Sequence, residues 1–346
     1  MRKKDSSVLK LKDLTLTNKT SLIYSNFRFQ LESVIKKKNF LVAVSGGPDS
    51  LALSALSQAY LLEKKTKVFF VLVDHGIRKN SSKEAQNVKK LLKKKGINLT
   101  ILKNKKKINK NVQSKAREIR YQLLLDFCKK YKIKFIMTGH HRDDQIETFL
   151  IRLSRGSGIQ GLSSMSKVSN LNKTIKLFRP LLSEKKENLI FLAKYYFGKI
   201  FKDPSNTDQK YLRTKIRNLI KQFEKNGIKH DRIISSINNL ASSRDTLNFY
   251  IQKIENDCLV KKDNTIIINL KKFLIANNEI QLKIFSNCIK KISKNYYPPK
   301  AKKVLNLLNR INSSKKIKAT LGGCVINKDK KNLIISKEEL KKGTKL

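Results

Sequence analysis

From residue 40 onward, short continuous apolar runs alternate with longer segments whose apolar residues recur every three or four positions. Phe40-Leu41-Val42-Ala43-Val44 has strand length and β-branched content, and Ala52, Ala55, Leu56, Ala59 and Leu62 follow at helical spacing. Val68-Phe69-Phe70-Val71-Leu72-Val73 is a second run, apolar throughout, as expected of a strand covered on both faces. Ser81 and Glu84 read as a capping box that opens a helix through Val88, Leu91 and Leu92 to Gly96. A third strand is expected over 97–102 and a long helix over 112–130, with Ala116, Ile119, Leu123 and Phe127 on one face. The strand Phe135-Ile136-Met137-Thr138 comes next, and Phe178-Arg179-Pro180-Leu181-Leu182 reads as the last, before a helix from Ser183 to Phe197. Such alternation with short connections predicts an α/β fold, a doubly wound parallel sheet with right-handed crossovers.

The two ends do not share this rhythm. Residues 1–37, with Phe27, Phe29, Leu31 and Ile35 on a mixed background, read as an N-terminal lead-in ending in a short helix. Past 226 the alternation stops. Helices over 232–258, 280–291 and 298–311 flank a strand at 265–270, and short strands gather around Gly322-Gly323. Three regions are therefore expected: the lead-in, an α/β domain over 38–225, and a C-terminal helical region with a small β tail over 226–346.

Charge sharpens the picture. The 346 residues carry 77 Lys plus Arg against 26 Asp plus Glu, a net charge of +51, which points to a polyanionic partner, nucleic acid above all. Part of the excess is mostly lysine alongside many Asn and Ile, the signature of an AT-rich genome. Lysine density makes the C-terminal region the expected handle for the nucleic acid. Cys128, Cys258, Cys288 and Cys324 are scattered without a C-x-x-C pair, which argues against a zinc site or a disulfide framework and for a reducing, cytoplasmic location. No apolar segment has the length of a signal or of a membrane span, so no membrane association is expected.

The chemistry concentrates where strands end. Ser45-Gly46-Gly47-Pro48-Asp49-Ser50 joins the first strand to its helix; the glycines let backbone amides approach a ligand, and a helix start adds unsatisfied N–H groups. That is an anion site, and phosphate is the usual anion. The loop is neither G-x-x-x-x-G-K-S/T nor G-x-G-x-x-G. An acidic Asp49 beside phosphates makes sense if Mg²⁺ bridges them; a plain capped turn is the alternative. Ligands of such sheets lie beyond the carboxyl ends of the strands, which groups this loop with Asp74-His75 and Gly139-His140 around one crevice.

After Gly139 comes His140-His141-Arg142-Asp143-Asp144-Gln145-Ile146-Glu147-Thr148. Ile146, Phe149, Leu150 and Leu153 form the expected buried stripe of a helix starting near Asp143, with Asp144 and Glu147 on the other face. Two carboxylates and a histidine there can bind a cation or a substrate amine, or move a proton; helix caps and solvated side chains are the plainer alternative. Arg155-Gly156-Ser157-Gly158-Ile159-Gln160-Gly161 suits a mobile loop over the site or a linker. Arg213 and Arg217, four apart on a helix opening at Tyr211, suit phosphates or a solvated basic face.

The hexapeptide resembles the SGGxDS loop of the PP-loop ATP-pyrophosphatases, whose fold is adenine nucleotide alpha hydrolase-like. Val73-Asp74-His75-Gly76-Ile77-Arg78, Arg117-Glu118-Ile119-Arg120-Tyr121, the Gly139 to Thr148 block, Arg155-Gly156-Ser157-Gly158, Arg179-Pro180-Leu181, Asp203-Pro204-Ser205-Asn206 and Thr320-Leu321-Gly322-Gly323-Cys324 follow in order. Together they resemble the tRNA(Ile)-lysidine synthetase family. The resemblance implies ATP and Mg²⁺ as cofactors. It also implies adenylation of carbon-2 oxygen at the wobble cytidine of a CAU-anticodon tRNA(Ile), and displacement of AMP by free L-lysine to give lysidine. It implies that Ser45, Gly46, Gly47, Pro48, Asp49, Ser50 and Arg117 bind ATP, with Asp49 on Mg²⁺ through the phosphates. His140 would lie near the base, Asp144 and Glu147 would receive and help deprotonate the lysine amine, and Arg213 and Arg217 would meet tRNA or phosphate. Thr214 departs from the Asn that the family tends to have. A homodimer is compatible with the sequence. The rivals are a tRNA thiolase of the same superfamily, which would need cysteines at the crevice, and a non-catalytic basic RNA-binding protein, which would not need the strand-end constellation.

Overall fold

The computed structural model describes residues 17–36, 38–77, 80–104, 112–201, 212–262, 264–294 and 299–338. The chain divides into two compact units, Met1–Leu240 and Ala241–Leu346. The division falls inside one long helix. The Asp203 to Asn206 turn, Arg78 and Tyr211 lie outside the described residues.

The first unit runs α1 (Asn18–Ile35), β1 (Phe40–Val44), α2 (Pro48–Lys64), β2 (Val68–Asp74), α3 (Ser81–Lys93), β3 (Leu99–Lys103), α4 (Val112–Lys130) and β4 (Phe135–Met137). It continues through α5 (Arg142–Leu153), α6 (Ile159–Leu162), β5 (Val168–Asn170), β6 (Lys176–Phe178), α7 (Lys186–Phe197) and α8 (Leu212–Lys225) into α9 (His230–Cys258). Its six-stranded sheet has the order β3-β2-β1-β4-β6-β5, parallel apart from the edge pair β5 and β6. The order reverses at β1, which pairs with β2 on one side and β4 on the other, so the crevice of a doubly wound sheet opens at its carboxyl end.

Strand side chains alternate between two cores. Phe40, Val42, Val44, Phe70, Leu72, Met137 and Phe178 pack with α1, α2, α3 and α7, while Leu41, Val71, Ile136 and Leu177 pack with Leu124 and Cys128 of α4. This corrects the predicted stripe of α4, whose fully buried positions are Ala116, Leu124 and Cys128, with Ile119, Leu123 and Phe127 only partly covered. The N-terminal segment is more than a lead-in: α1 buries Ile23, Tyr24, Phe27, Leu31 and Ile35 in the first core, and Phe29 points out. The expected last strand ends where it was read to begin, because Pro180 has no N–H to offer and Arg179 N–H already donates to Lys167 O. The predicted capping box at Ser81 does not form either. Asn80 is the N-cap, without a side-chain bond, and Ser81 and Ser82 donate to the buried Asp74 instead.

In the second unit β7 (Leu259–Lys262), β8 (Thr265–Asn269), β9 (Ile317–Leu321), β10 (Cys324–Lys328) and β11 (Asn332–Lys337) form one antiparallel sheet in the order β7-β8-β11-β10-β9. Helices α10 (Leu270–Leu274), α11 (Asn278–Ser293) and α12 (Ala301–Ser313) lie between β8 and β9 in the chain. The strand at 265 and the tail expected as separate pieces are thus neighbours, β8 pairing with β11. Gly322 and Gly323, at φ +63° and +80°, make the two-residue turn between β9 and β10 that only residues tolerant of positive φ allow.

Candidate active site at the carboxyl edge of the parallel sheet

The loop after β1 is folded around a hydroxyl. Ser50 Oγ accepts from Ser45 N and Gly46 N, each at 3.1 Å, takes the Ser45 hydroxyl at 3.1 Å and donates to Gly47 O at 3.0 Å. Ser50, Ser45 N and Gly46 N, expected on phosphate, are therefore committed within the loop. The amides of α2's first turn remain, since a helix start has no internal acceptors for them. Gly46 sits at φ +86°, and a Cβ there would lie 2.6 Å from Val88 Cγ2. At Gly139 the constraint is closeness: a Cβ would meet Asp49 O at 2.8 Å, so the end of β4 passes directly against the start of α2.

That approach sets Asp49 beside the residues after Gly139. His141, 2% exposed, is the N-cap of α5: its Nδ1 accepts from Asp143 N at 3.2 Å, while Asp144 Oδ2 accepts from His141 N at 3.0 Å. His141 Nε2 lies 3.7 Å from Asp49 Oδ2 and 3.6 Å from Asp144 Oδ2. Burial works against protonation of His141, but Asp49 and Asp144 outweigh it and raise its pKa. This histidine was not among the expected site residues, and nothing in its sequence position separates it from its neighbour. Asp49 Oδ1, by contrast, is buried with no hydrogen-bond partner.

His140 takes a different environment. Its Nδ1 is 2.7 Å from Thr138 Oγ1, and burial lowers its pKa to about 4. Asp144 opposes that shift, and Arg179, Arg117 and Arg213 reinforce it. The expected Arg117 and Arg213 thus reach the surroundings of His140, which is neutral near pH 7. Arg117 also lies over the Tyr121 ring, 5.1 Å from its centroid.

Glu147 and Arg217, expected in two different subsites, are one ion pair. Arg217 Nε donates to Glu147 Oε1 at 2.6 Å and its Nη2 to Oε2 at 3.4 Å. Glu147 is 3% exposed and lies on the buried side of α5, not its outer face, because Ile146 and Leu150 pack with Ile216 and Ile220 of α8. Leu153, assigned to the buried stripe, is exposed. Burial lowers the Arg217 pKa less than Glu147, Asp144 and Asp49 raise it, which puts these three carboxylates in one electrostatic neighbourhood.

Around this centre other polar groups are structural. Asp74 is held below the usual carboxylate range, against its burial, by bonds from Ser82, Ser81 and Gly76 N. His75, lowered to about 4 by burial and by Arg120, opposed by Asp74, accepts from Arg120 Nε at 3.3 Å. The glycine segment, read as a mobile loop or a linker, leads into residues tied to α5: Arg152 donates to Gly161 O and Ser164 O, and Gln145 exchanges two bonds with Met165. A cavity of 330 Å³ beside the start of α5 is lined by Arg142, Asp143, Lys185, Glu187, Glu224, Lys229, His230 and Asp231, and none of the expected site residues reaches it. Among the described residues no group of three or more His, Cys, Asp or Glu could hold a metal by itself, and no helix is long and apolar enough to cross a membrane.

A family model described as the PP-loop domain matches residues 18–223, more than half of the chain. The chain is 37% identical over 302 residues to the tRNA(Ile)-lysidine synthase of Wolbachia pipientis wMel, covering 86% of this chain and 70% of that relative. It is 31% identical over 331 residues to that of Rickettsia felis, covering 93% of this chain and 75% of that relative. The chain belongs to the tRNA(Ile)-lysidine synthase family. Among solved structures, the U34-tRNA thiolase NcsA of Methanococcus maripaludis superposes with a TM-score of 0.55 at 21% identity, over 64% of this chain and 79% of that one, a likeness of fold. The PP-loop match begins at α1, in keeping with the packing of that helix in the first core. In this member of the lysidine synthase family all four cysteines are buried, with Cys128 pushed up to about 12 by burial.

Proposed function

We propose that this chain uses ATP to adenylate carbon-2 oxygen of the wobble cytidine in a CAU-anticodon tRNA(Ile), and that the ε-amine of free lysine then displaces AMP to form lysidine. The observation that carries this reading is the convergence, at one rim of the sheet, of Asp49, Asp144 and Glu147 with Arg217 and a neutral His140. The free amides at the start of α2 bind the departing pyrophosphate, and the Ser50-centred loop gives them a rigid seat.

The buried, unpartnered Oδ1 of Asp49 fits a divalent cation. Asp49, together with phosphate oxygens, would hold Mg²⁺, which when bound supplies charge neutralisation to the leaving group. His140, uncharged near pH 7, offers the base a hydrogen-bond partner without adding charge. Arg117 and Arg213 neutralise phosphate, and the basic C-terminal region engages the rest of the tRNA.

Lysine arrives as an ammonium ion and must lose a proton before it attacks. Asp144 receives it, leaving Oδ2 on the α5 cap. Glu147 becomes available when Arg217 turns from it towards a phosphate, so the approach of the phosphate and the opening of the acidic pocket are linked. The thiolase alternative lacks a thiolate: the four cysteines are buried, and burial raises each of them.

Incubation with radiolabelled lysine, ATP, Mg²⁺ and the CAU transcript is expected to label the tRNA and release AMP and pyrophosphate. Pyrophosphate release without lysine transfer, or transfer of sulfur, overturns the assignment.

A further inference from the structure

The two oxygens of Asp49 are treated unequally. Oδ2 faces His141 Nε2 at 3.7 Å, and Oδ1 is buried and uncommitted. The histidine itself has little freedom. Its Nδ1 accepts the Asp143 N–H, so the neutral ring carries its proton on Nε2, and its own backbone N–H is bound to Asp144 Oδ2. His141 Nε2 therefore faces two carboxylates, Asp49 Oδ2 at 3.7 Å and Asp144 Oδ2 at 3.6 Å. Without a donor between them, two like charges would turn away from each other.

Building on the proposed reaction, we infer that His141 is a positioning residue: its Nε2–H holds Asp49 in the orientation that leaves Oδ1 free for a divalent cation. It joins the phosphate loop to the acidic helix start with one side chain. Gly139 makes this reach possible, because only a residue without Cβ lets β4 run against the Asp49 backbone. A partner that orients a metal-binding carboxylate changes affinity for the metal more than it changes affinity for the rest of the ligand.

Two substitutions separate this role from the helix cap. In His141→Asn the amide oxygen replaces Nδ1 as the cap acceptor, and the donor towards Asp49 is lost. In His141→Gln an amide N–H stands near the Nε2 position, and the cap is lost. The measurements are the melting temperature and calorimetric binding of a non-hydrolysable ATP analogue, with Mg²⁺ and with EDTA. His141→Asn is expected to melt with the parent and to bind the analogue about tenfold or more weakly with Mg²⁺, unchanged in EDTA. His141→Gln is expected to melt lower and to recover most of the Mg²⁺-dependent affinity. Parent-like Mg²⁺ affinity in His141→Asn, or no recovery in a folded His141→Gln, overturns the inference. A parent protein whose analogue affinity ignores Mg²⁺ overturns the metal role of Asp49 instead.

Discussion

The two units use their interiors differently. In the first, Asp74, His141, Glu147, Arg179 and Glu184 are buried among the apolar side chains; in the second, among the described residues, Glu255 is the sole buried charged group, and Asn287 and Lys291 satisfy it. The first unit also leaves Asp49 Oδ1 and His75 Nδ1 without partners, whereas among the described residues no buried side-chain atom of the second is so left. Burying polar groups costs stability unless they are paired, and Asp49 Oδ1 is the uncommitted atom that stands beside the acidic residues after β4. The second unit is an apolar core under a hairpin sheet and reads as a platform. Basic residues run through both units, so charge alone does not separate site from platform.

Substitutions at the two interiors should therefore fail in different ways. The largest effect is expected at Asp49→Asn, which should lower tRNA-dependent pyrophosphate release by about 10³-fold with little change in melting temperature. In the second unit Ile326→Ala, at a fully buried position, should do the reverse, costing about 3 kcal/mol in urea unfolding while ATP-analogue binding is kept. If Ile326→Ala abolishes analogue binding, the division between the units is wrong.

Glu147→Ala removes the buried carboxylate that Arg217 Nε holds at 2.6 Å, and a stability loss of about 3 kcal/mol is expected. Its kinetic mark should be a raised KM for lysine with the KM for ATP little changed; an equal loss in both would mean that the pair serves the whole site. Gly139→Ala should cost about 2 kcal/mol and weaken ATP-analogue binding together, because the added methyl meets the Asp49 carbonyl.

The pH response sharpens the contrast further. His140 and His75 titrate at about 4 in the folded chain against 6.5 ordinarily, so between those values the unfolded chain binds protons that the folded one does not. Their contribution is present above pH 6.5 and is lost as pH falls towards 4. The urea midpoint should drop over that window, and His140→Asn should flatten the drop. The smallest effect belongs to Cys128→Ala, a buried thiol on α4: lysine transfer should be unchanged, and its loss would revive sulfur chemistry.

How far the chain could be read in advance varied with the range of the interaction. β1, β2, α2 and α4 were legible because each announces itself within its own residues, by an apolar run or by apolar residues at helical spacing. β5 and β7 were not, since three or four residues at an edge carry no such repeat. Ser81-x-x-Glu84 looked like a cap, yet Asp74, one strand earlier, claims the hydroxyls.

By itself the amino-acid sequence determined the alternating layers, the glycine loop and the presence of acid after β4, all of them matters of local spacing. Only the tertiary structure decided which of those polar groups are already spoken for. Ser50 turns inward on its loop, Asp144 closes a cap, Arg217 crosses from α8 to Glu147, and His141 faces Asp49 across the crevice. Hydrogen bonds and ion pairs act over a few ångströms, and such distances between residues far apart in the chain exist only once the sheet has brought β1 and β4 side by side.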